Sequence, residues 1–508
     1  MAADRTSRSA KNALAGIVNK IIGIAAPFLL RTIMIQKLGV EYLGLNSLFS
    51  SVLQMLSLTE MGFGNAVIFS MYKPMADGNT ELINALLKFY KRIYRLIGVI
   101  VLGIGLVLMP NITHFIASEY PHEINIYVVF GIYLANTVVS YFLFAYKSSI
   151  LIAAQRNDIE SNIITLCNIF LYLSQIVALL ATGNYYVYII LMPCFTIINN
   201  IVRYYVVKKK YPQYVDSGEL EKQEKKEIMS RVGALVGHRV GGVVFSSVDS
   251  LVISSFLGLA ILGRYTNYFY IYTAINGIMS IVFQSILAVI GNAVACKTPQ
   301  ENHKIFNELF ILNAWQSCFC ATCFICLFQP FMRIWMGAEN MLPIVIALLL
   351  SIYYYFANIR RVCCGFKDAA GMWKDDFWKP YISVVVNLTF NILSVQIIGL
   401  PGVVISSIIA VVVVESPWET KVLFHNYFKT TTRSYYKRYF KSLAVCAICM
   451  VSSYAICTLF SDNFVGFLIR LVICMLVPNI VFIMTFRSTA EFTDVIYRFR
   501  NLIGRKKA

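Results

Sequence analysis

Long apolar runs alternate with short polar or basic stretches along the whole chain. A helix needs about 20 apolar residues to cross the hydrocarbon core of a bilayer. By that measure the pattern predicts fourteen spans, at about 13–36, 43–70, 88–109, 124–150, 159–182, 185–207, 232–256, 262–293, 306–328, 342–362, 380–399, 402–424, 439–460 and 464–486. The breaks fall where Gly, Pro or charge interrupts the apolar run: at Gly39, Pro110, Pro121, Gly183-Asn184, Pro299, Pro330, Pro343 and Gly399-Leu400-Pro401. The expected fold is an all-α polytopic membrane protein.

The pattern also repeats. Leu38-Gly39-Val40-Glu41-Tyr42-Leu43-Gly44 recurs as Leu257-Gly258-Leu259-Ala260-Ile261-Leu262-Gly263, which pairs Leu38 with Leu257. Gly64-Asn65-Ala66-Val67 recurs as Gly291-Asn292-Ala293-Val294, at a slightly larger offset. The order is kept with a small change of length. Repeats that begin at spans 1 and 7 enter the bilayer in the same direction, so they are related by an axis along the membrane normal. This predicts an N-terminal six-helix lobe over 1–207, a linker over 208–230 and a C-terminal six-helix lobe over 231–428. Residues 429–508 then hold spans 13 and 14 and a basic tail.

Composition and charge sharpen the picture. The 508 residues are 58% hydrophobic and 14% charged, with mean hydropathy +0.67, which leaves no room for a soluble catalytic domain. The formal net charge is +18. The Lys and Arg sit between apolar runs, as retention of positive loops on the cytoplasmic side requires, so nucleic acid is not an expected partner. One side collects Lys73, Lys88, Lys91, Arg92, Lys147, Arg156, Lys208, Lys209, Lys210, Arg360, Arg361, Lys367, Lys374 and the basic tail; the other has little beyond Lys37, Arg264 and Arg333. Both termini are therefore expected in the cytoplasm. The 13 cysteines lie mostly inside spans, which argues against a disulfide framework. The first apolar segment carries Lys20 and reads as a retained helix, not a cleaved signal.

The stretches Arg31, Leu38 to Leu45, Leu53-Gln54-Met55-Leu56-Ser57-Leu58-Thr59-Glu60-Met61-Gly62-Phe63-Gly64 and Tyr72-Lys73-Pro74 resemble the start of bacterial polysaccharide flippases. These are the O-antigen and capsule repeat-unit transporters of the multidrug/oligosaccharidyl-lipid/polysaccharide exporter superfamily. The resemblance is specific as far as Pro74 and rests on topology and charge pattern beyond it. It implies two lobes around a central cavity, alternating access and a bacterial inner-membrane location. It also implies a polyprenyl-diphosphate-linked oligosaccharide, usually on undecaprenyl, carried from the cytoplasmic to the periplasmic leaflet. In the related lipid II flippase, helices 13 and 14 border a groove for the lipid tail. The expected partners are that glycan, membrane lipids, and the polysaccharide polymerase and chain-length machinery; the expected state is a monomer.

Moving such a substrate demands a polar, cationic chamber for the diphosphate and a side opening for the prenyl tail. Lys20 and Arg31 lie eleven residues apart on span 1, about three turns and so on one face. The repeat maps Lys20 onto Arg239 in span 7. Lys20, Arg239 and Arg31 are thus the candidate diphosphate ligands, Arg as a planar fork and Lys as a point charge. The bland alternative is that Lys20 and Arg239 snorkel to headgroups. Arg31 maps onto Ser250, beside Asp249, which suggests an Arg31–Asp249 outer gate; the alternative is that Asp249 pairs within its own lobe or that Arg31 is a structural residue with no substrate role. His238 shares a face with Asp249 and is a candidate for proton coupling or a packing residue. Glu60 could balance the cations or bind a coupling ion, or cap backbone near Gly62 and Gly64.

Arg203, Arg470 and Glu415 lie near span ends, where snorkelling is the default. Cys318, Cys320, Cys323 and Cys326 on span 9 read as small packing residues, because no His flanks them. There is no P-loop, no Gly-rich nucleotide motif and no H-E-x-x-H. Neither catalysis, a cofactor nor a metal site is expected. A multidrug cation exporter of the same superfamily would want acids in its cavity, whereas the mid-membrane charges lean cationic. A membrane-embedded polymerase or glycosyltransferase would want catalytic groups on a large outer loop, and the outer loops are short.

Overall fold

The computed structural model describes residues 22–57, 60–117, 120–494 and 497, without the side chains of 60–62, 231, 233–242 and 245–246. Among the described residues there are helices and no strands. Ten of these helices are long and apolar enough to cross a membrane, and an eleventh candidate is a bent pair. Each of the fourteen expected spans coincides with a helix or a broken helix, span 1 from residue 22 onward. The helices fall into two compact units, Met1–Gly263 and Arg264–Ala508.

Unit 1 holds α1 (22–37), α2 (Val40–Leu56), α3 (Glu60–Ala76), α4 (Thr80–Leu108), α5 (Ile126–Phe142), α6 (Ser148–Ala153), α7 (Asn157–Thr182), α8 (Tyr185–Lys210) and α9 (Lys222–Leu257). Three of them start on an asparagine: Asn79, Asn125 and Asn184 each accept a hydrogen bond from a first-turn N–H with the side-chain oxygen, supplying a donor group with the partner that a helix end lacks. In span 2, α2 ends at Leu56, capped at Ser57, and α3 is described from Glu60 onward. Span 4 is broken. The segments Ile126–Phe142 and Ala145–Ala153 meet at 49°, around Phe144 at φ 38°. α9 packs along α2 and α3, and α8 along α5 and α7.

Within this unit the sequence repeat becomes a physical contact. Gly39 and Gly258, paired by the repeat, adopt the same left-sided backbone, φ 110°, ψ 167° and φ 88°, ψ 174°. Only glycine takes that conformation without strain. The next pair is reciprocal. A Cβ on Gly44 would overlap the Leu259 carbonyl, and a Cβ on Gly263 would overlap the Val40 carbonyl. Gly44 matches Gly263 and Val40 matches Leu259 at the same offset. The two copies of the motif therefore dock on each other with local two-fold symmetry, backbone against backbone.

Unit 2 holds most of α10 (Leu259–Cys296), then α11 (Pro299–Met336), α12 (Ile344–Ile359), α13 (Arg361–Ala369), α14 (Lys379–Ile398), α15 (Leu400–Ile409), α16 (Ser416–Val422), α17 (Arg433–Cys457) and α18 (Phe464–Phe486). α11 is its spine and packs on α12, α17 and α18. Spans 13 and 14 are thus built onto this unit. α15 and α16 belong to one helix, Leu400–Phe428, widened by π-helical turns at Ala410–Glu415 and Leu423–Phe428.

Candidate functional site

Of the residues singled out by sequence, Lys20 lies outside the described residues. His238 and Arg239 lie on α9 and Glu60 on α3, all with side chains outside the described residues. Arg31 on α1 and Asp249 on α9 are both half-buried and both engaged by other groups. The Arg31 charge reaches Tyr188. That hydroxyl belongs to a polar cluster joining α2, α5 and α8. Tyr133 donates to Asn46 Oδ1 at 2.8 Å and meets the Tyr185 hydroxyl at 3.2 Å, while Asn46 Nδ2 reaches the Tyr188 oxygen at 3.5 Å. This cluster of three phenols and an amide offers directional hydrogen bonds in an apolar surround, within reach of the Arg31 charge at Tyr188.

Sequence reasoning missed the most heavily charged buried region of unit 2. Arg360 and Arg361, counted there as loop charges, point in opposite directions. Arg361 reaches α10: its Nη2 donates to Asn276 Oδ1 at 2.7 Å and to Ser280 Oγ at 3.3 Å, and the guanidinium lies 5.6 Å from the Phe283 ring centre. Arg360 turns instead to the helix Leu400–Phe428 and pairs with both Glu415 and Glu419. Lys379 bridges Glu419 at 2.7 Å and Asp376 at 2.9 Å, and Lys367 reaches Asp376 at 2.6 Å. Glu415 also accepts from Ser383 at 2.9 Å. Burial alone would push the Asp376 carboxyl up; Lys379 and Lys367 outweigh it and hold it below the usual carboxylate range. The signal in the sequence was the spacing of Glu415 and Glu419, one turn apart on one face.

The three charges expected to snorkel are paired instead. Arg203 is 7% exposed and grips Glu160 of α7, Nη2 to Oε1 at 2.6 Å, with Nη1 donating to Asn200 at 2.6 Å. Arg470 is 8% exposed, donates to the Phe460 carbonyl at 2.6 Å and pairs with Asp462 at 2.7 Å. Glu415 belongs to the network above. A partner within reach costs less than stretching a charge to the headgroups, so pairing wins.

The linker is also held by charge. Asp216 pairs with Lys91 of α4 and, at 3.4 Å, with the buried Lys147. Glu219 meets Arg92 at 3.1 Å and Lys88 at 3.6 Å. The Val215 N–H donates to Asn84 at 2.8 Å. The segment between α8 and α9 thus lies strapped across the basic-loop ends of spans 3 and 4.

Unit 2 carries an apolar cleft of about 400 Å³ between α10, α11 and α18, lined by Ile271, Met279, Phe324, Phe331, Phe467 and Met475. Nearly everything facing it is carbon or sulfur, so its occupant would be hydrocarbon.

The sequence model of the family described as polysaccharide biosynthesis protein matches residues 9–294, more than half of the chain. The chain belongs to that family. No curated protein matches this family member in sequence. Among solved structures, the lipid II flippase MurJ in an inward closed conformation superposes with a TM-score of 0.67 at 15% identity, over 94% of this chain and 99% of that one. An inward-facing multidrug resistance transporter of the MATE family, from the MOP superfamily, gives 0.58 at 16% identity, over 77% of this chain and 92% of that one. The eukaryotic MATE transporter AtDTX14 gives 0.55 at 11% identity, over 85% and 99%. At these identities the likeness fixes the fold: this polysaccharide biosynthesis family member is a multi-pass membrane protein with the flippase and exporter architecture, and its relatives in fold are transporters, not enzymes.

Proposed function

We propose that this protein is a flippase for a polyprenyl-diphosphate-linked oligosaccharide repeat unit. It would carry the unit from the cytoplasmic to the periplasmic leaflet of the bacterial inner membrane by alternating access, for O-antigen, capsule or exopolysaccharide synthesis. The observation that carries the reading is the joint one of family and extent. The family is one of polysaccharide biosynthesis, and the likeness to a lipid II flippase runs over 94% of the chain. The two MATE transporters cover 77% and 85% of it.

The roles follow from the physical problem. The prenyl tail can stay in hydrocarbon, and the apolar cleft beside α18 supports a place for it. The diphosphate cannot, and needs fixed cations. Lys20 and Arg239, with Arg31, are the proposed ligands; Arg31 and Asp249 are the proposed outer gate, with His238 and Glu60 as coupling candidates. The Arg31–Tyr188 neighbourhood supports a site able to meet both a charge and sugar hydroxyls.

Deleting the gene and identifying the lipid-linked oligosaccharide that accumulates tests the reading. Build-up of a lipid-linked repeat unit on the cytoplasmic leaflet is expected; unchanged surface glycan overturns it. Replacing Lys20 and Arg239 together by alanine is expected to abolish export while protein remains in the membrane, and normal export would remove the clamp. Cysteines at positions 31 and 249 are expected to crosslink in the inward-facing state; failure in every state would remove the gate.

A further inference from the structure

The cysteines of span 9, expected as packing, do not stand alone. Cys326 of α11 meets Cys457, the last residue of α17, and Cys474 of α18, with the three Sγ atoms all within 4.8 Å of one another. Each is 1% exposed. Cys323, one turn before Cys326, also makes contact with Cys474. Every cysteine in the chain is a free thiol. Packing explains one buried thiol, or two on one helix face. It does not call for sulfurs from three helices converging on a single point.

The dimensions suit a metal. Thiolate bonds of about 2.3 Å to a d10 cation put the sulfurs of a trigonal or tetrahedral site about 4 Å apart. Thiolates select soft cations such as zinc or copper(I) over hard ones. Charge chooses between these two. Three thiolates and a dication leave one negative charge. Arg470, whose charge reaches Cys457 and Cys474, pairs with Asp462, which also holds Arg333 at 3.3 Å. Those three side chains carry one net positive charge, so a dication makes the cluster neutral and a monocation does not. An approach path exists too. A cleft of about 470 Å³, lined by Asp462, Arg470, Gln329 and Tyr454, reaches Cys326 and Cys457 from the loop between α17 and α18.

We propose that Cys326, Cys457 and Cys474 form a thiolate site for a soft dication of the zinc class, which fastens spans 13 and 14 to the spine of unit 2. Binding displaces three protons, one from each thiol, and the ion is held without change of oxidation state.

The test uses the full chain, purified reduced in detergent, with the exposed Cys194 and Cys296 replaced by serine throughout. After loading with zinc chloride and desalting, about one zinc per chain is expected, and cobalt(II) in its place gives a thiolate charge-transfer band. The variant with Cys326→Ser, Cys457→Ser and Cys474→Ser should lose both. If that variant does not elute as a folded species, Cys474→Ala alone is used, with zinc affinity expected to fall about tenfold or more against a chromophoric chelator. Equal zinc uptake with and without the thiols, or no cobalt band in the parent, overturns the proposal. So does recovery of Cys457 joined to Cys474 as a disulfide when cells are alkylated before lysis.

Discussion

The fifth and sixth spans of each repeated half are joined by an ion pair, with opposite charges on the two helices. In unit 1, Glu160 on α7 meets Arg203 on α8 at 2.6 Å. In unit 2, Lys379 on α14 meets Glu419 on α16 at 2.7 Å. Glu160 and Lys379 are matched by the same offset that pairs Leu38 with Leu257 in the repeated motif. Duplication has therefore kept the place of an ion pair and not its polarity. A buried charge needs a countercharge at that depth; the physics is indifferent to which helix supplies which sign. The difference lies in what surrounds the pair. Unit 1 closes it locally, with Asn200 as the remaining acceptor. Unit 2 opens it into a network that recruits Arg360 from the end of span 10 and Asp376 from the loop before span 11. One copy ties two helices, the other three.

Breaking the larger network should cost most. Glu419→Gln leaves Arg360 and Lys379 buried with half their countercharge gone, and should destabilise the protein by about 3–5 kcal/mol, read as a fall in melting temperature in detergent. Next, Arg203→Met strands Glu160 and should cost about 3 kcal/mol by the same assay, less than Glu419→Gln because only one group is orphaned. A cost for Arg203→Met as large as that for Glu419→Gln would end the distinction between a local and a networked pair. The exchange Glu160→Arg with Arg203→Glu sharpens the claim about polarity. The double variant should recover most of what either single change loses, to within about 1 kcal/mol of the parent. A double variant as unstable as the singles would show that unit 1 is committed to its own sign.

The smallest effect is expected at the linker. Burial pushes the Asp216 carboxyl up, but the hydrogen bond from Lys91 and the charges of Lys147 and Lys91 hold it below its ordinary value. A depressed carboxylate adds stability that is complete above its unfolded pKa and is lost as pH falls through the folded one. The strap should therefore hold at neutral pH and loosen below about pH 4. Protease cutting between α8 and α9 should rise several-fold there, and Asp216→Asn should show that faster cutting already at pH 7.

Most of the fold was legible because a span that must bury its own backbone polar groups in lipid announces itself as a long apolar run. The bend in span 4 was not: Leu143 and Phe144 are ordinary apolar residues, and nothing in their type announces the left-handed backbone of Phe144. The candidate site was legible only in part. Arg31 and Asp249 stood out as charges in midspan. Arg360 did not, because next to Arg361 at a span end it looked like retention charge, and only the fold reveals that it turns to Glu415 and Glu419. The convergence of Cys326, Cys457 and Cys474 was hidden for the same reason: they come from three separate spans, and one apolar helix carries no mark of which face meets which.

The mutual docking of Gly44 on Leu259 and Gly263 on Val40 has an evolutionary corollary. Each glycine makes room for the other copy's main chain, and neither has a side chain left to trim. A bulky replacement in one copy therefore has no remedy in its twin. The two copies of the motif sit in stretches that differ in composition, length and even the sign of their buried charges, yet at this crossing both positions are bound to stay small together.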